Sequence, residues 1–576
     1  MEATIVFIFI LVFLVSVLVT RKPKNLPPGY FGIPYIGSML LMRKLIKGKI
    51  PHLVLFKESK RIGNIFSWYL GNQLIVVLSG YDTIHQALVK KADVFSDRPH
   101  VLPEYGIITC KYGQCWRELR RFTFRALRDF GVGKTSIEDK IQVEIEAATT
   151  FLQETNGTPT LVDGLCTKWW HMLSLVSYLD EVFDIRCRTN ILLFLFSFRY
   201  AYNDTESDKT RALTNAFING SGLISFSFFL PKFLVRIIDK KDEENFNIRQ
   251  QSVLDMRKYV DKQIDEHEAT FDSDNIRDFV DMYIQTKKRR GRNSSSQVDH
   301  TCGILHPGLR AKRIISGMQE NNELSQVSAY VKPMVFAEYK MFDFLFIYFA
   351  HRSSYVRKYI LHTEYTFAEG SMFMGILDLF IAGSETTSSI LDWAFLFMTE
   401  FPEVQKKCQE EIEMVLGDKS VEYSDRKKLV YVNAVIMEIQ RHSNIVPLNE
   451  THHSTSANTT LGGYSIPAGT YIVPTLYSVH MDPKYFPNPE KFDPDRFIDD
   501  KGNLIKNEAL IPFSTGLRTC LGKPLAKMQL FLMFANLLQR FSFSREDPHR
   551  RHSLESKQAV VTNIPVPYRL RTRKRR

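Results

Sequence analysis

One cysteine near the C-terminus is the side chain most able to do chemistry in this chain. It stands in the run FSTGLRTCLG, residues 513–522, and an apolar stretch at 525–537 follows. A thiolate at the start of a helix lies in the positive end of the backbone dipole, which favours the ionised, metal-binding form of Cys520. Gly516 lets the chain turn with a positive φ, and Arg518 offers a fixed cation to an acidic group on a ligand. The alternative is an ordinary buried free cysteine.

A flat, metal-containing ligand suits this run. Gly522 lets such a ligand approach the backbone closely. An axial cysteine thiolate on haem iron donates electron density and favours cleavage of an O–O bond. Because five constrained positions at this spacing rarely recur by accident, the run indicates a haem-thiolate site with Cys520 as the ligand.

The same run resembles the haem-binding loop of the cytochrome P-450 monooxygenases, written F-x-x-G-x-R-x-C-x-G. Further motifs of that family occur in the expected order along nearly the whole chain: WRELR at 116–120, AGSETT at 382–387, EIQR at 438–441 and PDRF at 494–497. The chain is therefore identified as a member of the cytochrome P-450 superfamily. A narrower likeness, to the microsomal family 2 type and its fatty-acid hydroxylase branch, rests on KYG at 111–113, FGVGK at 130–134 and LAKM at 525–528.

The expected fold is mainly α with a small β-sheet, which is the cytochrome P-450 fold. Alternating β-branched residues at 65–78, with Gly-Asn between them, predict a hairpin. Long helical patterns follow at 136–154, 245–284, 372–400 and 402–416. The length of 576 residues suits one large helical domain and an anchor.

The N-terminus predicts a transmembrane anchor at residues 1–20. Residues 4–20 are apolar and barely long enough to span a bilayer, and three of the next four residues are basic. The positive-inside rule then places the rest of the chain in the cytosol. A Pro/Gly-rich hinge at 21–38 would connect the anchor to a haem-thiolate catalytic domain at 39–576. The resemblance implies a single-pass protein of the endoplasmic reticulum membrane.

Composition restricts the partners. The net charge of +12 indicates an anionic partner, lipid head groups or an acidic protein, and no motif points to nucleic acid. The seven cysteines show no C-x-x-C spacing, which argues for a reducing compartment. Since no dinucleotide-binding motif follows a strand, electrons must come from outside. The resemblance implies NADPH–cytochrome P-450 reductase, with a basic docking face formed by Arg117, Arg121, Lys523 and Lys527.

Two segments exceed the family pattern, at 169–188 and at about 290–362. Together they hold about 90 residues, well beyond ordinary loop lengths. We hypothesise that one or both are retained non-coding sequence. Between Pro99 and Gly106 the chain is instead shorter than usual, in a region that caps the substrate pocket in the family.

The resemblance also assigns residues around haem b. Cys520 is the axial iron ligand, Phe513 packs beside it, and Arg518 pairs with a propionate. His452 stands where the family often has a propionate-binding histidine, and the adjacent His453 is an alternative.

Helical spacing carries two further assignments. Trp116 and Arg120 lie four apart on one face, and the resemblance places both at the other propionate edge; an ordinary amphipathic helix is the alternative. Glu438 and Arg441, three apart, can hold a buried ion pair that Arg496 completes. We assign this trio the structural role of fixing the cysteine loop, against the alternative of a surface pair.

The acid–alcohol pair Glu385-Thr386 predicts proton delivery. Protons must reach dioxygen without release of peroxide, and the Thr386 hydroxyl can hydrogen-bond the dioxygen. Ala382 and Gly383 would leave room by loosening one helical turn. A threonine in a helix usually bonds back to a carbonyl, so a capped kink is the alternative and is compatible with the first role.

These features predict a microsomal haem-thiolate monooxygenase that uses O2 and NADPH electrons. Its substrate would be lipophilic: a long-chain fatty acid first, then a xenobiotic or a steroid. Apolar candidates near the pocket, for which core packing is equally expected, are Phe226, Phe228, Phe229 and Phe380. Two alternatives stay open. One is a haem-thiolate isomerase or dehydratase that needs no electrons, which the acid–alcohol pair disfavours; the other is an inactive haem-binding relic disabled by the inserts.

Overall fold

The structure is a computed structural model of the chain. It describes residues 25–33, 37–48, 50–99, 106–131, 135–154, 157–158, 160–162, 195–196, 240–293, 367–449, 453–557 and 562–575. The predicted anchor and the first predicted insert lie outside these residues, as does the second insert beyond residue 293.

Helices account for most of the described chain. In order they are α1 Met39–Gly48, α2 Pro51–Ile62, α3 Tyr81–His85, α4 Ala92–Phe95, α5 Gly106–Thr109, α6 Gln114–Asp129, α7 Thr135–Glu154, α8 Lys240–Ala269, α9 Phe279–Asn293, α10 Phe367–Glu400, α11 Pro402–Leu416, α12 Val430–Ser443, α13 Leu476–His480 and α14 Lys523–Arg540. A π-helical turn spans Gln86–Lys90, and 3-10 turns span Tyr423–Lys427 and Pro494–Phe497.

The strands are short and form small sheets. They are β1 Ile65–Leu70, β2 Gln73–Leu78, β3 Thr160–Val162, β4 His453–Ser454, β5 Thr459–Leu461, β6 Tyr464–Ile466, β7 Tyr471–Pro474, β8 Phe541–Arg545, β9 Ser556–Lys557, β10 Ile564–Pro565 and β11 Tyr568–Lys574. The largest sheet has the order β1-β2-β7-β4, in which β2 and β7 are parallel, and a second has the order β3-β11-β8.

Helix α10 is the centre of the molecule. It is apolar on nearly every face, and such a helix is stable only when other elements cover it. Its C-terminal half shares one hydrophobic cluster with α7, α12 and α14, and its N-terminal half shares another with α6, α8 and α9. Two packed layers therefore meet at the middle of α10.

The predicted fold class is confirmed, and so is the hairpin: β1 pairs with β2 in antiparallel register, Leu70 opposite Gln73. The single helix predicted over 245–284 is wrong. The chain leaves the helix after Ala269 and begins α9 at Phe279, because Asp278 caps the new helix by accepting the Asp281 N–H at 3.0 Å. Among the described residues no helix is both long enough and apolar enough to cross a membrane.

Candidate active site

The cysteine run forms a tight loop before α14. The Cys520 N–H donates to the Phe513 carbonyl at 3.0 Å and closes the loop. Gly516 has a φ of +78°, and a Cβ placed on it would lie 1.9 Å from the Leu88 carbonyl oxygen. Only glycine fits there, as the turn predicted at Gly516 requires.

The Cys520 thiol is surrounded by protein on most sides. Burial raises the pKa of its thiol, although the N–H groups of Gly522 and Lys523 and the charge of Arg120 oppose this shift. The side chain is nevertheless accessible to solvent. A Cβ added at Gly522 would meet one atom within 4 Å, the Cys520 sulfur at 3.9 Å. Among the described residues, no other atom therefore lies close to this position beside the sulfur.

The predicted ionised thiol is therefore not favoured in the protein alone. The N–H groups at the start of α14 do stabilise a thiolate, but burial outweighs them and raises the pKa of Cys520. A coordinating metal ion deprotonates a thiol outright. Ligation to a metal ion, rather than the helix end, would supply the ionised form at this position.

Arg518 is a buried cation beside the cysteine loop. It donates to the carbonyl oxygens of Ser96 at 2.9 Å, Ile107 at 3.3 Å and Cys110 at 2.6 Å. Its guanidinium carbon lies 4.2 Å from the centre of the Trp116 ring, and burial lowers the pKa of Arg518 to about 10. All these partners are neutral, so an acidic group on a ligand would gain a desolvated counter-charge here.

Trp116 and Arg120 share one face of α6. The Arg120 guanidinium carbon lies 5.4 Å from the centre of the indole, and Nη2 donates to the Thr519 carbonyl at 2.6 Å. A second cation thus lies next to the cysteine. The Trp116 Nε1–H donates to the Ile107 carbonyl at 3.0 Å. Since an indole has one N–H, Trp116 would have to exchange this bond for a propionate.

Of the two histidines predicted as propionate ligands, only His453 lies within the described residues. His452 lies outside the described residues. His453 is 1% exposed, with Nδ1 2.8 Å from the Phe95 carbonyl oxygen and Nε2 3.0 Å from the Asn449 amide nitrogen. Both ring nitrogens of His453 are engaged by protein, which leaves His452 as the candidate for a propionate.

The Glu438 carboxylate lies at the centre of the predicted trio. Arg441 donates from Nε at 2.7 Å and from Nη2 at 2.8 Å, and Arg496 donates from Nε at 3.2 Å. Glu438 and Arg441 are fully buried. The alternative of a surface pair is wrong for this chain.

Three residues of α10, Ala382, Gly383 and Thr386, form an accessible stripe on a helix that is otherwise mostly buried. Ala382 is exposed and Gly383 and Thr386 are partly exposed, whereas Glu385 is 3% exposed. The Thr386 hydroxyl donates to the Ala382 carbonyl at 2.7 Å, which is the local bond considered as an alternative. The loosened turn predicted at Ala382-Gly383 is absent, because α10 runs without a break from Phe367 to Glu400.

The stripe and the cysteine loop both border one hydrophobic cluster. Leu521, directly after the cysteine, belongs to the same hydrophobic cluster as Phe380, which precedes the stripe on α10. Phe380 is 2% exposed, so its predicted alternative role in core packing is the one that this structure supports. Phe226, Phe228 and Phe229 lie outside the described residues.

A sequence model of the family described as "Cytochrome P450" matches residues 27–305 and 351–571 of this chain. The chain belongs to the cytochrome P450 family. It is accordingly a monooxygenase that binds haem b through a cysteine thiolate. The residues present fit that group, because the Cys520 side chain is accessible and two partly or fully buried arginines lie beside its loop. The match omits residues 306–350, which fall within the second predicted insert.

Relatives confirm the likeness of this cytochrome P450 to family 2. Cytochrome P450 2U1 of Homo sapiens is 30% identical over 584 residues, covering 96% of this chain and 89% of the human protein. Cytochrome P450 2J2 of Homo sapiens is 29% identical, covering 96% and 91%. Cytochrome P450 2B2 of Rattus norvegicus is 30% identical, covering 99% of each.

Sequence reasoning missed Asp378 of this cytochrome P450. Its Oδ2 accepts the N–H groups of Ile107 at 2.6 Å and Ile108 at 2.8 Å, which ties the short helix α5 to α10. Burial raises the pKa of Asp378 to about 7. Gly106 has a φ of +87°, and a Cβ on it would lie 2.4 Å from this carboxylate. The sequence signal was an aspartate inside an apolar helix, eight residues before Thr386.

His480 was also missed, and it connects the buried trio to the cysteine loop. Arg441 donates from Nη1 to the His480 carbonyl at 2.9 Å. The Nε2 of His480 accepts the Ile511 N–H at 3.1 Å, two residues before the loop begins. Burial lowers the pKa of His480 to about 3, so the ring stays neutral and Nε2 stays an acceptor. The structural role predicted for the trio thus has a continuous path of hydrogen bonds.

The four predicted docking cations do not all face solvent equally. Arg117, Arg121 and Lys523 are exposed, whereas Lys527 is partly buried. Burial lowers the pKa of Lys527, and the charges of Lys523 and Arg426 add to this shift. The docking of a reductase here stays a prediction.

Proposed function

We propose that this cytochrome P450 hydroxylates a lipophilic substrate, with a long-chain fatty acid as the first candidate. One atom of O2 enters a C–H bond and the other becomes water, with two electrons from NADPH and two protons. NADPH–cytochrome P450 reductase supplies the electrons. The protein works at the endoplasmic reticulum membrane.

The observation that carries the proposal is the position of Cys520, which is largely enclosed by protein yet has an accessible side chain. Haem b bound there supplies the activation of dioxygen. Cys520 would ligate its iron through Sγ, and Phe513 lies at the other end of the closed loop. Arg518, Arg120 and His452 would hold the propionates, and Trp116 contributes the ring against which Arg518 stacks.

Thr386 and Glu385 would handle protons. The Thr386 hydroxyl lies on the accessible stripe of α10, where it can turn from the Ala382 carbonyl to another polar group. Glu385 supplies an acid one residue earlier on the helix. Thr386→Ala is expected to retain haem but to divert NADPH electrons to peroxide; unchanged coupling would refute the role.

Apolar residues near the N-terminus support a membrane partner. Phe31 is 64% exposed, Met39 53% and Leu40 69%, and all three follow closely after the predicted anchor. Exposed apolar residues grouped in this way favour contact with lipid. The basic residues of α6 and α14 favour an acidic reductase surface.

The test begins with the carbon monoxide difference spectrum of the dithionite-reduced, membrane-expressed protein. A strongly red-shifted Soret band is expected for the wild type and for Cys115→Ser, and its loss is expected for Cys520→Ser. Absence of the band in the wild type would refute the proposal. Incubation with palmitic acid, a long-chain fatty acid, together with reductase and NADPH should then give a hydroxylated product, and turnover without NADPH would favour an isomerase instead.

A further inference from the structure

The acid of the acid–alcohol pair does not face the accessible stripe. Glu385 is 3% exposed, and its Oε1 accepts a hydrogen bond from the hydroxyl of Thr562, which is 1% exposed. Thr562 belongs to the C-terminal segment just before β10. One residue along α10, Thr386 is partly exposed and bonds to its own helix. The carboxylate and the Thr386 hydroxyl thus have separate partners.

The segment that carries Thr562 is held firmly. The Asn563 backbone N–H donates to the Ile445 carbonyl at 2.8 Å, and its side-chain amide donates to the Ser443 carbonyl at 2.6 Å. The Trp393 Nε1–H donates to the Asn563 carbonyl at 2.7 Å. Trp393 lies eight residues after Glu385, near the same face of α10, so this face binds the C-terminal segment at both positions.

We infer that Thr562 is a positioning residue that holds the Glu385 carboxylate away from the accessible stripe of α10, so that release of this hydrogen bond precedes proton delivery. The inference rests on the proposed function. A hydrogen bond to a charged group favours the held orientation by roughly ten- to a hundredfold. Once released, the Glu385 carboxylate would take up a proton from solvent and pass it on towards dioxygen, which returns the group to its ionised form.

Three variants of the full-length holoenzyme test this role. Thr562→Val removes the hydroxyl at nearly constant volume, and Thr562→Ser retains it. Thr399→Val is the matched control. Thr399 is a buried threonine like Thr562, but it lies on α10 and its hydroxyl donates to the Leu396 carbonyl at 2.8 Å. The infrared carboxyl band that disappears in Glu385→Gln should move in Thr562→Val and stay in place in the other two.

Electron use gives the second measurement. With reductase and no substrate, oxygen and NADPH yield hydrogen peroxide or water, and Thr562→Val should raise the rate of NADPH oxidation roughly tenfold. In the background of Glu385→Gln the same change should have no effect. An unmoved infrared band, an unchanged or lower rate, or an equal effect in that background would overturn the inference.

The two proposals fail differently. If Glu385→Gln consumes NADPH as fast as the wild type, Glu385 is not the proton donor and its assignment in the proposed function fails. If Glu385→Gln slows NADPH oxidation while Thr562→Val leaves it unchanged, the role of Thr562 alone fails.

Discussion

Replacing Asp378 with Asn is expected to remove one pH dependence from the stability of this cytochrome P450. Burial raises the pKa of Asp378 from 3.8 to about 7. Between these values the folded protein binds a proton that the unfolded chain has released. The free energy of unfolding therefore falls as the pH rises from about 4 to about 7.

The magnitude follows from the size of that shift. About three pKa units at about 1.4 kcal/mol each correspond to about 4 kcal/mol, present below the unfolded pKa and lost once the pH has passed about 7. An asparagine oxygen can accept both N–H groups of α5 but does not titrate. Relative to the wild type, Asp378→Asn should therefore gain stability as the pH rises.

Thermal unfolding at about pH 5 and about pH 8 measures the effect. The wild type loses about 2.7 kcal/mol of this contribution over that interval. With an unfolding entropy of about 2.1 cal/mol/K per residue over 576 residues, the difference in Tm between variant and wild type should change by about 2 °C. Asp500→Asn, at an exposed position, is the matched control.

If the difference in Tm between Asp378→Asn and wild type is the same at both pH values, the pKa of Asp378 is not raised. The carboxylate would then be ionised throughout, and the two N–H groups with the charge of Arg98 would outweigh burial. A change of the same size in Asp500→Asn would show that the effect comes from net charge.

Further predictions concern the loop, the trio and the propionate cations. Gly516→Ala should abolish the red-shifted carbon monoxide band because its Cβ would strike the Leu88 carbonyl, whereas Gly502→Ala, which also has a positive φ but open space, should retain it. Glu438→Gln should lower stability by about 3–5 kcal/mol in denaturant unfolding, since it leaves two arginines without their carboxylate partner; Asp495→Asn, in an exposed pair with Lys407, should cost under about 1 kcal/mol. Arg518→Lys should speed the transfer of haem to apomyoglobin, because an ammonium group cannot reproduce the planar guanidinium that donates to three carbonyl oxygens. An unchanged transfer rate would count against the propionate role of Arg518.

The family and the positions of its motifs could be read from the order of residues along the chain. A motif such as FSTGLRTCLG is local: one short loop must turn at Gly516 and present Cys520, so spacing along the chain carries the information. The pair Glu438 and Arg441 was accessible for the same reason, since three residues on a helix bring two side chains together. Arg496 followed from the family motif.

Which groups are buried, and what they contact, depends instead on how distant parts of the chain pack together. Asp378 bonds to Ile107 and Ile108, and Glu385 to Thr562, across separations of 271, 270 and 177 residues, respectively. No periodicity relates such distant positions, because the contact depends on how whole helices pack. The same limit explains the Cys520 thiol: its place before a helix could be read from sequence, but the burial that raises its pKa could not.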